Sequence, residues 1–355
     1  MIWNKNELAP HNMIILKRLF SLQIIFILLL ASIFFSCSRN PLKVDISGIE
    51  NNIEIVRFDH ELFAIQQNDT LGEIVKLSNK YPDFFNLFTY RIIRIGGIGE
   101  EKFPDLLMKF ITDTMIVNVD KLVEMKFANF KSTEKQLIKA FKYYQYHFPE
   151  KKLPTVYVYV SGFNQSVVTA ENIIGISLDK YLGRDCKYYQ LLSSTPQYKI
   201  TNMYKDKLVS DVAYAWGSSD YGNSDKATNL MQNMILQGKL MYFVDALLPA
   251  TPDSVKIGYT TKQLDFCIDN EAQMWNSLIE KKMLFSTNRM DIVRYINDGP
   301  STSGFPSESP ARAAIWIGWQ IVRQYMEKHP EITLKELMLN SDYQQILNDL
   351  EYFPE

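Results

Sequence analysis

Four side chains in the second half of the chain have the types and spacing to build a small chemical site. Ser210, Asp211 and Tyr214 lie in the segment Leu208-Val-Ser-Asp-Val-Ala-Tyr-Ala-Trp216, and Gln237 directly precedes Gly238 in the next apolar segment. Residues at i and i+4 share one helix face, so Ser210 and Tyr214 would present a hydroxyl and a phenol side by side. Asp211 could accept or donate a proton. Zinc, however, prefers imidazole, thiolate and carboxylate donors, and a hydroxyl, a phenol and an amide do not replace them. Only four histidines are present (His11, His60, His147, His329), and none falls between Phe148 and Lys328. His60-Glu61 begins a zinc-type His-Glu-x-x-His motif, but Ala64 occupies the second histidine position, which favours a surface pair. Gly96-Gly97-Ile98-Gly99 lacks the strand and the Lys-Ser/Thr that a phosphate-cradling loop requires, so a plain loop is expected.

The elements that must position these residues are readable from periodicity. Thr70 to Tyr146 carries apolar residues at three-to-four spacing and predicts helices. Beyond Pro154 the pattern changes to β-branched and aromatic alternation, predicting strands over 155–160, 167–169 and 173–178. A helix is expected from about Met203 to Trp216, with Leu208, Val212, Ala215 and Trp216 facing the core. A second is expected from about Asp225 to Leu248, capped by Ser224. Gly238 in its middle costs about 1 kcal/mol relative to alanine and points to a close backbone approach. Near the C-terminus, Gly299-Pro-Ser-Thr-Ser-Gly-Phe-Pro306 forms a loop and Pro310 is expected to open a helix to about His329. Arg312 in that first turn needs a carboxylate, Asp211 or another, to offset the helix dipole.

The N-terminus reads as an export signal. Lys17 and Arg18 precede an apolar run, Leu19 to Phe35, that ends at Ser36-Cys37. The run is short for a membrane span of about 20 residues. Cys37 is therefore read as the lipid-acceptor cysteine of a bacterial lipoprotein, although Phe34-Phe35-Ser36-Cys37 departs from the usual Leu-Ala-Gly-Cys type of lipobox at two positions, Phe34 and Phe35, Ser36 keeping the small residue. The alternatives are a plain anchor helix or a cleaved secretory signal. Met13 would give a signal of ordinary length as an alternative start. The expected organisation is a signal peptide over 1–36, a linker and mainly helical region over 37–150, and a second region over 151–355. Cys186 and Cys267 would then be the remaining thiols of an exported protein, paired or separate.

Composition excludes other classes. With 38 basic and 40 acidic residues, net charge −2, the chain has no surplus for gripping nucleic-acid backbones, and no nucleic-acid partner is expected. Aromatic content of 13% is too high for a disordered chain.

A sheet, a helix ending Ala215-Trp216, and a second helix carrying Gln237-Gly238 resemble the gluzincin layout of zinc peptidases. That layout reads His-Glu-x-x-His on the first helix and takes a glutamate from the second, leaving one open zinc position. Here Ser210 and Tyr214 stand at the histidines, Asp211 at the catalytic glutamate and Gln237 at the third ligand. More specifically, the chain resembles the GldB gliding motility lipoproteins, which are similar to zinc peptidases without their metal ligands. The resemblance rests on the signal, Ile53-Glu-Ile-Val-Arg-Phe-Asp, Tyr81-Pro-Asp-Phe-Phe, Val160-Ser-Gly-Phe-Asn, Gln237-Gly-Lys and the segment Ser309 to Val322. It implies a mostly helical α+β fold: a degenerate zincin-like domain with a small sheet preceding the former active-site helix. It also implies a non-catalytic pseudo-peptidase without cofactor or metal, anchored through Cys37 in the cell envelope, on the outer membrane and facing the periplasm. Such a protein would bind an envelope protein partner through the old substrate cleft, near Arg312 and Trp216. The competing expectation is a hydrolase using an unrecognised metal site or metal-free chemistry at Asp211, Ser210 or Tyr214.

Overall fold

The computed structural model describes residues 40–65, 69–192, 195–223, 225–350 and 352–354. Met13, the apolar run, Cys37 and Ser224 lie outside the described residues. Residues 44–355 form one compact unit; the preceding unit, residues 1–43, contributes only residues 40–43, a turn in which the Leu42 amide donates to Asn40 Oδ1 (3.0 Å).

Strand β1 (Ile55–Arg57) runs straight into α1 (Phe58–Phe63), so the mixed pattern of that stretch is a strand followed by a helix. Helices α2 (Thr70–Lys80) and α3 (Pro82–Asn86) follow, the latter continuing as a π-helical turn (Leu87–Ile92). Helices α4 (Phe103–Thr112), α5 (Thr114–Lys126) and α6 (Phe130–His147) complete the N-terminal half. Next come β2 (Thr155–Tyr159), β3 (Val167–Ala170) and β4 (Ile173–Ser177), two 3-10 turns (Leu178–Tyr181 and Lys187–Leu191) and the short α7 (Gln197–Ile200). A 3-10 turn (Lys205–Lys207) leads into α8 (Leu208–Tyr221), and α9 (Leu230–Leu247) follows. The chain ends with α10 (Asp253–Ile257), α11 (Thr261–Asp269), α12 (Glu271–Glu280), α13 (Arg289–Ile296), α14 (Ala313–Lys328), α15 (Leu334–Leu339) and α16 (Tyr343–Asn348). The fold is α+β and mostly helical.

The sheet of the described residues has the order β1-β2-β4-β3. β1 pairs parallel with β2 (Ile55 opposite Val156), β2 parallel with β4 (Tyr159 opposite Ser177), and β3 antiparallel with β4. It therefore joins residues on both sides of position 150. Every residue of β4, Ile-Ile-Gly-Ile-Ser, is buried, as expected for a strand covered on both faces. The Tyr81-Pro-Asp-Phe-Phe motif serves this packing. Phe84 stacks on Tyr157 of β2 at 4.2 Å and meets Phe58 edge-on at 4.9 Å, an arrangement aromatic rings favour.

Helix boundaries differ from the sequence expectation for local reasons. The first site helix starts at Leu208 rather than Met203, because Lys205–Lys207 wind as a 3-10 turn. The second starts at Leu230, where the Asn229 side chain accepts from the Gln232 amide and Gln232 answers in a capping box. Pro310 does not open α14. Thr302 does that work from the preceding loop: its buried hydroxyl donates to the Pro310 carbonyl (2.6 Å) and accepts from the Ala313 amide (3.0 Å). Arg312 becomes the residue before the helix, in the left-handed region at φ 61°.

Helix α9 is buried almost all round and crosses α14 at bare backbone. A Cβ on Gly238 would lie 2.1 Å from the Gly318 carbonyl oxygen, and one on Gly318 would lie 2.0 Å from the Met234 carbonyl oxygen. The close approach inferred from Gly238 is this crossing.

Candidate functional site

The site residues are carried by α8, α9 and the loop before α14. Ser210 is buried, and its hydroxyl donates to the Lys256 carbonyl of α10 (3.2 Å). The Tyr214 phenol donates to Gln237 Oε1 at 2.5 Å, so the two residues that would face a metal satisfy each other. Burial pushes the Tyr214 phenol above its ordinary pKa, opposed by Arg312 and reinforced by Asp298. Asp211 accepts from Lys207 Nζ (2.6 Å) and from the buried Tyr181 hydroxyl (3.0 Å). Trp216 packs edge-on against Phe141 and Tyr144 in the core.

Asp211 and Arg312 do come together, as lining of a cavity of about 560 Å³. Arg312 pairs with Asp298, not Asp211: its Nε lies 2.8 Å from Asp298 Oδ1, while Nη2 donates to the Ile257 carbonyl (2.6 Å). Asp298 lies only fourteen residues upstream on the loop entering Gly299, so loop closure brings the carboxylate to the arginine. Trp216 and Ser210 are not part of this cavity lining.

The cavity opens beyond the carboxyl ends of β2 and β4, the position where ligands commonly bind in parallel sheets. The loop after β2 contributes Phe163, Asn164 and Ser166; the turn after β4 contributes Lys180 and Tyr181; α7 and the residues around it add Tyr198, Lys199 and Asn202. Asp179 organises this rim. Its fully buried carboxylate accepts from the Phe163 amide (2.6 Å), the Ser161 amide (3.3 Å) and the Ser177 hydroxyl. Burial raises the Asp179 pKa and these hydrogen bonds oppose the rise. They also hold Gly162 at φ 70° and Phe163 at φ 68°, the latter an uncommon conformation for a bulky side chain. The Ser-Gly-Phe-Asn motif is thus a strained loop tied down at the cavity's edge. Sequence reasoning passed over Lys180, Lys199 and Asp298. The signal that could have found Lys180 was its place just after a strand, where a carboxyl-end loop had to follow.

Zinc does not fit the α8–α9 positions. They offer a single carboxylate, already held by Lys207 and Tyr181, and a hydroxyl, a phenol and an amide bonded elsewhere. Elsewhere, donor atoms of Asp59, His60 and Glu124 lie within 4.8 Å of one another. There, Arg57 sits where a cation would: its Nη2 is 2.7 Å from Asp59 Oδ2 and 2.6 Å from Glu124 Oε1. The exposed His60 meets Glu124 at 2.8 Å, so His60-Glu61 is a surface feature. A larger hollow of about 1090 Å³ lies beside Tyr81, Tyr90 and Tyr157, but its Lys80 is already bound to Glu61 (2.8 Å). Cys186 and Cys267 are both free, and burial pushes the Cys267 thiol up to about 12.

These features define a helix-rich α+β fold with an open, charged cavity at the carboxyl end of its sheet. The chain matches the family model of gliding motility protein GldB over residues 39–354, and it belongs to that family. It is accordingly a gliding motility-associated lipoprotein, a membrane-anchored protein of the envelope. Among the described residues no helix is long and apolar enough to cross a membrane. No curated protein and no solved structure matched the chain.

Proposed function

We propose that this lipoprotein is a non-catalytic, peptidase-like binding protein, held by lipid at Cys37 on the outer membrane and facing the periplasm. It takes an envelope protein partner into the cavity beside Asp211 and Arg312. The observation that supports this reading most is the mutual satisfaction of the positions corresponding to zinc-peptidase ligands. Tyr214 is bonded to Gln237, Ser210 to the Lys256 carbonyl, and Asp211 to Lys207 and Tyr181. A hydrolytic site needs a donor set free to hold metal or water, with a base aimed at the reacting atom. Here the polar atoms are spent on the scaffold, while the cavity beside them remains open.

The test compares native lipoprotein, extracted from membranes in detergent, with its Cys37→Ala variant. The variant is expected in the soluble periplasmic fraction and the native protein in the membrane. Native protein incubated with a mixed peptide library, with and without added zinc, is expected to leave the library intact by mass spectrometry. Unchanged membrane fractionation of Cys37→Ala would refute lipid anchoring. Zinc-dependent cleavage lost in Asp211→Asn would refute the non-catalytic reading.

A further inference from the structure

The cavity is not charge-balanced, and the imbalance specifies what it takes. Lys180, Lys199, Lys207 and Arg312 line it, against Asp211 and Asp298. Two of these cations are already matched, Lys207 by Asp211 at 2.6 Å and Arg312 by Asp298 at 2.8 Å. Lys180 and Lys199 are left over. Among the described residues, the half-buried Lys180 ammonium donates only to the Phe163 carbonyl (3.3 Å), and the Lys199 ammonium makes no hydrogen bond or ion pair. Burial lowers the Lys180 pKa, Asp179 opposes that, and the like charge of Lys199 adds to it, so the two ammonium groups feel each other across the opening. Neighbouring like charges at a rim are an unfavourable arrangement that an anion between them would relieve.

Two further observations mark the place as built for a ligand. Of the non-glycine residues with positive φ, Phe163 and Arg312 both line this cavity, and backbone strain concentrates where function requires it. The remaining lining is of mixed polarity: Asn164, Asn202, Thr195 and Ser166 can both donate and accept, and the Asp211 and Asp298 carboxylates only accept when ionised. A phosphate offers no N–H to those carboxylates. A peptide carrying a carboxylate offers both an anion for the lysines and amide donors for the aspartates. A volume of about 560 Å³ has room for an acidic side chain with its flanking peptide units.

We propose that this cavity is a recognition site for acidic peptide segments, with Lys180 and Lys199 gripping the carboxylate, while the carboxylate lone pairs of Asp211 and Asp298 that Lys207, Tyr181 and Arg312 leave unused accept peptide N–H groups. The assignment rests on the non-catalytic reading above and names the chemistry of the partner's contact segment.

The test uses the full lipoprotein in detergent and a fluorescein-labelled pool of randomised hexapeptides containing a Glu-Glu pair. Identical pools carrying Gln-Gln or Lys-Lys serve as comparisons, and binding is read by fluorescence anisotropy. The Glu-Glu pool is expected to bind about tenfold more tightly than the Gln-Gln pool, with the preference shrinking as salt rises. Lys180→Gln/Lys199→Gln should abolish the preference, and Lys180→Glu/Lys199→Glu should turn it toward the Lys-Lys pool. A control with the same charge change at distant exposed positions, Lys102→Gln/Lys109→Gln, should keep it. Equal binding of the Glu-Glu and Gln-Gln pools, or loss of preference in the control as well, overturns the proposal. Inorganic phosphate raising the melting temperature as much as the Glu-Glu pool at equal concentration overturns it in favour of a phosphate site. Absence of binding sinks the acidic-peptide assignment while leaving an intact library as support for the non-catalytic reading. Cleavage of bound peptide does the reverse.

Discussion

Two groups of charged residues lie on either side of α10 and differ in how their charge is spent. On the inner side, Asp245, Asp253, Lys256 and Arg323 form a closed network. Lys256 Nζ is 2.6 Å from Asp245 Oδ1; Arg323 binds Asp245 through Nε (2.7 Å) and Nη2 (2.8 Å) and Asp253 through Nη1 (2.6 Å). The Trp319 indole donates to the same Asp245 carboxylate (2.7 Å), and the Arg323 guanidinium lies over the Trp319 ring. Two cations meet two anions, and Asp245 and Lys256 are almost wholly removed from water. On the outer side, the backbone carbonyl of Lys256 receives Lys207 and Ser210, and beyond them lies the cavity where Lys180 and Lys199 have no counter-ion in contact among the described residues. A closed network can only hold structure. An open one retains capacity for something else, and that difference separates scaffold from site in this molecule.

The largest expected effect comes from opening the closed group. Removing one partner of a buried pair leaves an uncompensated charge, which costs more than the pair itself contributes. Asp245→Ala strands Lys256, takes two of the Arg323 hydrogen bonds and leaves the Trp319 N–H unpaired. A loss of about 4 kcal/mol in urea unfolding is expected. A loss below about 1 kcal/mol would show that water or Asp253 takes over readily, and the contrast with the cavity would weaken.

A buried titratable group has a third option besides pairing or facing a ligand: it can stay neutral. His147, at the end of α6, takes it. Its ring nitrogen Nε2 is buried without a hydrogen-bond partner among the described residues, and burial lowers its pKa from 6.5 to about 4. The folded state thus binds the proton less readily than the unfolded chain. Its contribution is present above pH 6.5 and is lost as pH falls through about 4. Between those limits the linkage amounts to at most about 3 kcal/mol. His147→Phe should therefore lose less stability than the native protein between pH 7 and pH 4, followed by thermal or urea unfolding. Parallel pH profiles would mean that His147 is already hydrated and outside the comparison.

The scaffold was far more legible in the sequence than the site. The strands at 155–159, 167–170 and 173–177 follow directly from alternation and β-branched content, and Gly238 announced a backbone crossing because a mid-helix glycine needs a reason. Ser210, Asp211, Tyr214 and Gln237 were legible as polar side chains at helix spacing, but not the way each is satisfied. Ser210 turns to a carbonyl forty-six residues away, a pairing that no local pattern encodes. Arg312 needs a carboxylate and has one in Asp298, but its left-handed backbone, in the loop that Thr302 ties to the Pro310 carbonyl and the Ala313 amide, has no local signal. Lys180 showed only through its place just after a strand, and Lys199 did not show at all. A lysine near a turn looks like any solvated lysine until the turn after β4 and helix α7 bring the two to one opening.

The smallest expected effect is also the sharpest division between the two charged groups. If Lys199 belonged to the scaffold, as Lys256 does, its removal would cost stability. If it is held in reserve for an anion, Lys199→Gln removes repulsion from Lys180 and breaks no hydrogen bond or ion pair among the described residues. Stability should then stay within about 0.5 kcal/mol of the native value, the usual range for an exposed substitution, and any change should be toward greater stability. The salt dependence should be revealing too. Repulsion between the two ammonium groups is screened as ionic strength rises, so whatever the variant gains at low salt should fade toward 1 M salt. Urea midpoints of native and Lys199→Gln protein at both salt levels test this. A loss of about 1 kcal/mol or more at low salt would move Lys199 into the scaffold with Lys256 and erase the distinction between the open and the closed group.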